Sequence, residues 1–121
     1  MVGGGMRMPE LQTQNPDGHR LYICGPMSGI PDFNYPAFNY AEKLLIHAGF
    51  RVVNPANNGL SRKSPWEHHM KRDIALLLGC TGVATLDGWQ YSRGARLEVH
   101  IARELNIPVM RLAEWAMWSG R

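Results

Sequence analysis

Four short, β-prone apolar runs, each separated from the next by about one helix of chain, constrain this sequence more than any other feature. They are Arg20-Leu21-Tyr22-Ile23-Cys24, Phe50-Arg51-Val52-Val53, Val83-Ala84-Thr85-Leu86 and Ile107-Pro108-Val109-Met110. Strands joined by helix-length crossovers pair in parallel, and the crossovers cover both faces of the sheet. The expected fold is therefore α/β: a flavodoxin-like or Rossmann-like three-layer sandwich with a central parallel sheet of four to five strands.

The connections carry helical signals. Phe38, Ala41, Leu45 and Ala48 fall at helical spacing after Pro36, with Asn34 near a capping position and Gly49 as the stop. Ser64-Pro65-Trp66-Glu67 predicts a second helix start, with Ser64 as cap and Glu67 closing a capping box. That helix passes through Met70, Asp73, Ile74 and Leu77 to Gly79. A third is expected over Gly94 to Leu105, burying Leu97, Ile101 and Leu105. The aromatic tail, Trp115-Ala116-Met117-Trp118, suits a core edge or a subunit interface.

A chain of 121 residues holds one core. Residues 1–18, rich in Gly, Pro, Asn and Gln without an apolar centre, read as a disordered leader, and 19–121 as a single domain. The net charge of +3 comes from scattered basic residues, which suits a small anionic ligand better than a nucleic-acid polymer. Cys24 and Cys80 lie in or beside apolar runs and read as buried thiols, so the expected location is cytoplasmic. No apolar run approaches the length of a membrane span, and no membrane partner is expected.

The chemistry concentrates where the third apolar run meets the third helix. Asp87 ends the strand, the loop carries Trp89, Tyr91, Ser92 and Gly94, and Glu98 lies one turn inside the helix. In open parallel sheets such a rim presents backbone N–H groups to ligands. The loop after the first strand, Gly25-Pro26-Met27-Ser28-Gly29-Ile30-Pro31-Asp32, allows close approach to the backbone but has neither dinucleotide nor P-loop spacing. A carboxylate held dry at this rim can attack an acetal-like carbon or stabilise an oxocarbenium ion. Glu98 has that place, and Asp87 and Asp73 are candidates for the acid that protonates a departing base.

Each has a plainer reading. Glu98 can be an exposed helix carboxylate beside Arg96 or Arg103, Asp73 a surface partner of Lys71 or Arg72, Tyr22 a packed sheet tyrosine and Ser92 a helix cap. Ser92 and Gly94 otherwise suit a phosphate, reinforced by Arg93 or Arg96. Trp89 and Tyr91 can stack on a base. His69 and Asp73 are four apart, but no third ligand shows metal spacing, so neither metal nor organic cofactor is expected.

Taken together, Tyr22-Ile23-Cys24-Gly25-Pro26-Met27-Ser28-Gly29, Arg72-Asp73 and Ser92-Arg93-Gly94-Ala95-Arg96-Leu97-Glu98 with Ala102 resemble the nucleoside 2-deoxyribosyltransferase superfamily. The likeness is to its small bacterial and phage branch and to the related deoxynucleoside 5′-monophosphate N-glycosidases, from about Leu21 to Met110. The resemblance implies that Glu98 attacks C1′ of the sugar, that Tyr22 orients it, and that Asp73 touches sugar or base. It makes Asp87 a second acidic contact or proton donor, and Gly25, Met27, Ser28, Gly29, Ser92 and Gly94 pocket lining. It also implies a homodimer or higher oligomer acting on a nucleoside or nucleotide without a cofactor. The chain departs from the family at Cys80-Thr81-Gly82, where an acidic residue is usual, and in the bulky Gly88-Trp89-Gln90-Tyr91 segment. The expected function is cleavage or transfer of an N-glycosidic bond. The alternatives are a non-catalytic nucleotide-sensing module of the same fold and an interaction protein that docks a partner through Trp89.

Overall fold

β1 (Arg20–Cys24) is the strand around which the sheet is built. The computed structural model describes residues 18–118, so the leader expected over 1–18 lies, apart from Gly18, outside the described residues. β1 pairs in parallel with β2 (Arg51–Val53) on one side and β3 (Gly82–Thr85) on the other, and β3 pairs with β4 (Val109–Arg111). The order β2-β1-β3-β4 is a four-stranded, all-parallel sheet, as the spacing of the apolar runs requires. After β2 the chain crosses to the other side of β1, so the direction of winding reverses between β1 and β3. A crevice opens there beyond the carboxyl ends of the strands.

Side chains alternate across β1, and both faces are buried. Leu21 and Ile23 pack with Phe38, Ala41 and Leu45 of α1 (Tyr35–His47), with Phe50, and with Trp115 of the short α4 (Leu112–Ala116). Tyr22 and Cys24 face the opposite layer, with Leu77 of α2 (Trp66–Leu78) and Ala95, Val99 and Ala102 of α3 (Arg93–Glu104). Trp115 thus closes the core edge, and its indole N–H donates to the Val83 carbonyl at 2.7 Å. It fits because Gly82 has no side chain; a Cβ there would lie 2.7 Å from the Trp115 ring. Cys24 and Cys80 are buried free thiols. Among the described residues no helix is long and apolar enough to cross a membrane.

Three local expectations are corrected. α3 does not bury Leu97, Ile101 and Leu105: Leu97 and Leu105 are exposed and Ile101 is half-buried. The helix turns its smaller residues inward, and Ala95, Val99 and Ala102 let it lie close to the sheet with Glu98 in the same stripe. The capping box at Ser64 does not form, since the helix begins after Pro65 with no side-chain cap. Asn34 does not cap α1 through its side chain either; its amide donates to the Pro26 carbonyl at 3.0 Å.

Asn34 ends a run of three consecutive non-glycine residues in the left-handed region, Asp32, Phe33 and Asn34, with φ of 56°, 53° and 60°. This strap crosses from the loop after β1 to α1. Asp32 pairs with Arg62, and the Arg62 guanidinium lies 4.5 Å from the Tyr35 ring centroid and 5.3 Å from that of Phe33.

Candidate active site

A cavity of about 610 Å³ opens at the switch between β1 and β3, large enough for a small organic ligand. Its walls come from separate parts of the chain. The loop after β1 supplies Gly25, Met27 and Ser28, the strap supplies Phe33, and α1 begins with Tyr35. The start of α2 adds Trp66, His69, Met70 and Asp73, and the start of α3 adds Ser92, Arg93, Gly94 and Glu98. The two helix starts meet closely because Gly94 lacks a side chain: a Cβ would stand 3.0 Å from Met70 Sδ.

Glu98 is the buried acid of this cavity, 5% exposed. The Tyr22 hydroxyl donates to its Oε2 at 2.8 Å, and the Cys24 thiol lies 3.4 Å from its Oε1. Burial is the main influence on its ionisation and, with the nearby Asp73, lifts it to about 8, while the hydrogen bonds from Tyr22 and Cys24 hold it back. Burial and then the charge of Glu98 push Tyr22 well above its ordinary value, so it remains a neutral donor. The exposed Glu98 paired with Arg96 or Arg103 is therefore not what forms.

Asp73 is also buried, 6% exposed, and is held by Asn58 rather than by Lys71 or Arg72. One hydrogen of the Asn58 amide goes to Asp73 Oδ1 at 2.9 Å, and the same nitrogen lies 3.1 Å from His69 Nδ1. His69 Nε2 lies 2.9 Å from the Ser61 carbonyl. A carbonyl only accepts, so Nε2 carries the proton and Nδ1 accepts from Asn58. Burial raises Asp73 above the ordinary carboxylate range, against the lowering effects of the Asn58 hydrogen bond and of His69 and Arg72.

These raised acids set how stability depends on pH. Folded Glu98 keeps its proton to about 8, whereas an unburied glutamate releases it near 4.5. Between those values the folded state holds more protons than the unfolded one, so stability falls as pH rises, by up to about 1.4 kcal/mol per unit. Asp73 acts in the same direction. The urea midpoint is expected to be lower at pH 9 than at pH 5, and Glu98→Gln to flatten most of that slope. A wild-type midpoint that rises across this range contradicts the burial of Glu98.

Residues 19–111 match the family described as Domain of unknown function (DUF4406). The chain is a DUF4406 protein. No curated protein matches it.

This DUF4406 domain gathers most of the residues singled out in the sequence. Glu98, Asp73, Gly25, Met27, Ser28, Ser92 and Gly94 line the cavity, Asp87 stands exposed at its rim, and Tyr22 reaches Glu98 from the sheet. Ser92 both lines the cavity and caps α3, its hydroxyl accepting from Ala95 N–H at 3.2 Å. Two expected lining residues are elsewhere. Gly29 sits at an exposed turn outside the cavity wall. Trp89 packs against the apolar layer beneath α3, with the Arg103 guanidinium 5.6 Å from its ring centroid, so it is not placed to stack on a base. Tyr91 lines the cavity in its stead.

Several DUF4406 site residues carried little signal. Asn58 lies in a stretch that reads only as loop, although Asn57-Asn58-Gly59 beyond a strand end is a cue for a structured turn. Arg62 joins the strap to the wall, and the Arg93 guanidinium stacks 3.8 Å above the Trp66 ring. Among the described residues no group of three His, Cys, Asp or Glu is placed to hold a metal ion.

Proposed function

We propose that this domain cleaves or exchanges the N-glycosidic bond of a deoxynucleoside or its 5′-monophosphate, with Glu98 as the nucleophile. The observation that carries this reading is a buried carboxylate at the wall of a nucleotide-sized cavity, fixed by a tyrosine hydroxyl at 2.8 Å. In the first step a Glu98 oxygen bonds to C1′ while the C1′–N bond breaks. The bonding electrons leave with the base, which takes a proton. Asp73, raised by burial and held by Asn58, is the favoured donor, and Asp87 at the rim is the second candidate. Water or a second base then attacks C1′, the C1′–oxygen bond to Glu98 breaks, and the carboxylate that protonated the first base takes up the proton the attacking group gives up. The sequence Ser92-Arg93-Gly94 at the start of α3 favours substrates with a 5′-phosphate, since all three residues line the cavity and combine a hydroxyl, a basic residue and a helix start. No step calls for a metal or organic cofactor. The reading includes assembly as a homodimer or larger and a cytoplasmic setting.

One observation favours a second reading, a nucleotide-sensing module without turnover. An acid lifted to about 8 is mostly protonated at neutral pH and is then a poor nucleophile. One experiment separates the two. The protein is incubated with deoxynucleosides and their 5′-monophosphates, with and without an added free base, and base release is followed by chromatography. Release is expected, faster from monophosphates. Binding that raises the melting temperature while no base is released from any member of the panel would establish the sensing module instead.

A further inference from the structure

Tyr22 and Cys24 stand two residues apart on β1, so both side chains project from the same face of the strand toward α3. Between them they address both oxygens of one carboxyl group. Tyr22 takes Oε2 at 2.8 Å, and Cys24 Sγ lies 3.4 Å from Oε1. The same sulfur lies 3.5 Å from the Ala95 carbonyl, one turn earlier on α3. A thiol carries a single proton and can serve only one of these acceptors at a time. Cys24 is fully buried, and burial followed by the Glu98 charge pushes its thiol well above its ordinary value, so it is a donor and not a reactive thiolate.

We infer that Cys24 is a positioning residue for Glu98, passing its S–H from the Ala95 carbonyl to Glu98 Oε1 as the carboxyl group ionises. This role rests on the reading of Glu98 as the nucleophile. Its physical content is differential: the donor is spent on a backbone carbonyl while Glu98 is neutral and becomes available when negative charge appears on Oε1. Together with Tyr22 it holds the ionised carboxylate at both ends. A thiol is a weaker donor than a hydroxyl, so it steadies the anion without drawing away the electron density that attack requires. Among the described residues, Arg62, His69, Asp87 and Arg93 line the same cavity as Glu98. Asp73 faces Glu98 from α2 and in turn faces His69 and Arg72. β3 (Gly82–Thr85) contributes none, and the charged residue of β4, Arg111, pairs with Glu114.

The test is a carbon-13 titration of the Glu98 carboxyl group in the full-length wild type, Cys24→Ala and Cys24→Ser, with Tyr22→Phe as a benchmark for losing a strong donor. The Glu98 resonance is assigned by its absence in Glu98→Gln. Cys24→Ala is expected to raise the Glu98 midpoint by roughly half a unit to one unit, less than Tyr22→Phe does. Cys24→Ser is expected to bring it back to the wild-type value or below. Where base release is measurable, the rising limb of kcat/KM against pH moves with the midpoint. Unmoved midpoints in both variants, or equal shifts in Ala and Ser, would reduce Cys24 to a packing residue and overturn the inference. The titration does not depend on turnover, so it stands apart from the test of the glycosidic reading. Failure there is read as full activity in Glu98→Ala or as an absence of base release.

Discussion

Glu98→Ala is expected to lower base release by at least about 10³-fold while leaving the fold intact. Truncation removes the atom that bonds to C1′, and losing a covalent participant costs more than losing a hydrogen bond to it. The fold survives because the side chain, though buried, is an ionisable group whose desolvation works increasingly against stability as pH rises from about 4.5 to about 8. Its loss leaves the Tyr22 hydroxyl without its acceptor, a modest penalty of roughly 1–3 kcal/mol. The measurement is base release under single-turnover conditions, with circular dichroism as the check on folding. Equal activity in wild type and variant would end the proposed mechanism, whatever the variant does to substrate binding.

The largest effect on stability is expected at Trp115→Ala, a loss of about 3–5 kcal/mol. Trp115 is 1% exposed and lies edge-on to Phe50 with ring centroids 5.7 Å apart. The variant empties the space over Gly82 and removes the donor to the Val83 carbonyl. For a chain of this size the melting midpoint drops by about 10–20 °C. Trp115→Phe refills part of the volume without the N–H and falls between the two. A midpoint within a degree or two of wild type in Trp115→Ala would show that α4 is not part of the core.

The fold was legible because its governing signals are long and redundant. Four apolar runs alternating with three helix-length connections leave little besides a parallel sheet covered on both faces, and β1 to β4 fall within a residue or two of those runs. The inward face of α3 was harder to read. Leu97, Ile101 and Leu105 are the bulkiest apolar residues at helical spacing, yet the helix turns Ala95, Val99 and Ala102 to the sheet. Close packing selected small side chains there, and size alone gave no warning. The floor of the site could be read from Glu98 and Tyr22, since the strand, polar loop and helix start that carry Glu98 are contiguous in sequence and the resemblance seen in the sequence linked Tyr22 to them. Its walls could be read only in part, at Gly25, Met27, Ser28, Asp73, Ser92 and Gly94. Arg62 and Phe33 come from connections without periodicity and Tyr35 only opens α1, and only the folded chain brings Arg62 to the strap or sets Asn58 behind Asp73.

The left-handed run Asp32-Phe33-Asn34 makes the cavity unequal in stiffness. Three such residues cost roughly 1–2 kcal/mol each. What opposes that cost is the Asn34 amide's hydrogen bond to the Pro26 carbonyl, a half-exposed ion pair and the guanidinium's contact with two rings, not buried apolar area. Dissolved salt screens a pair of this kind and leaves Glu98 and Asp73, deep beside the sheet, almost untouched. Ionic strength therefore acts unevenly on the chamber: it weakens one fastening of the doorway while the hearth stays fixed.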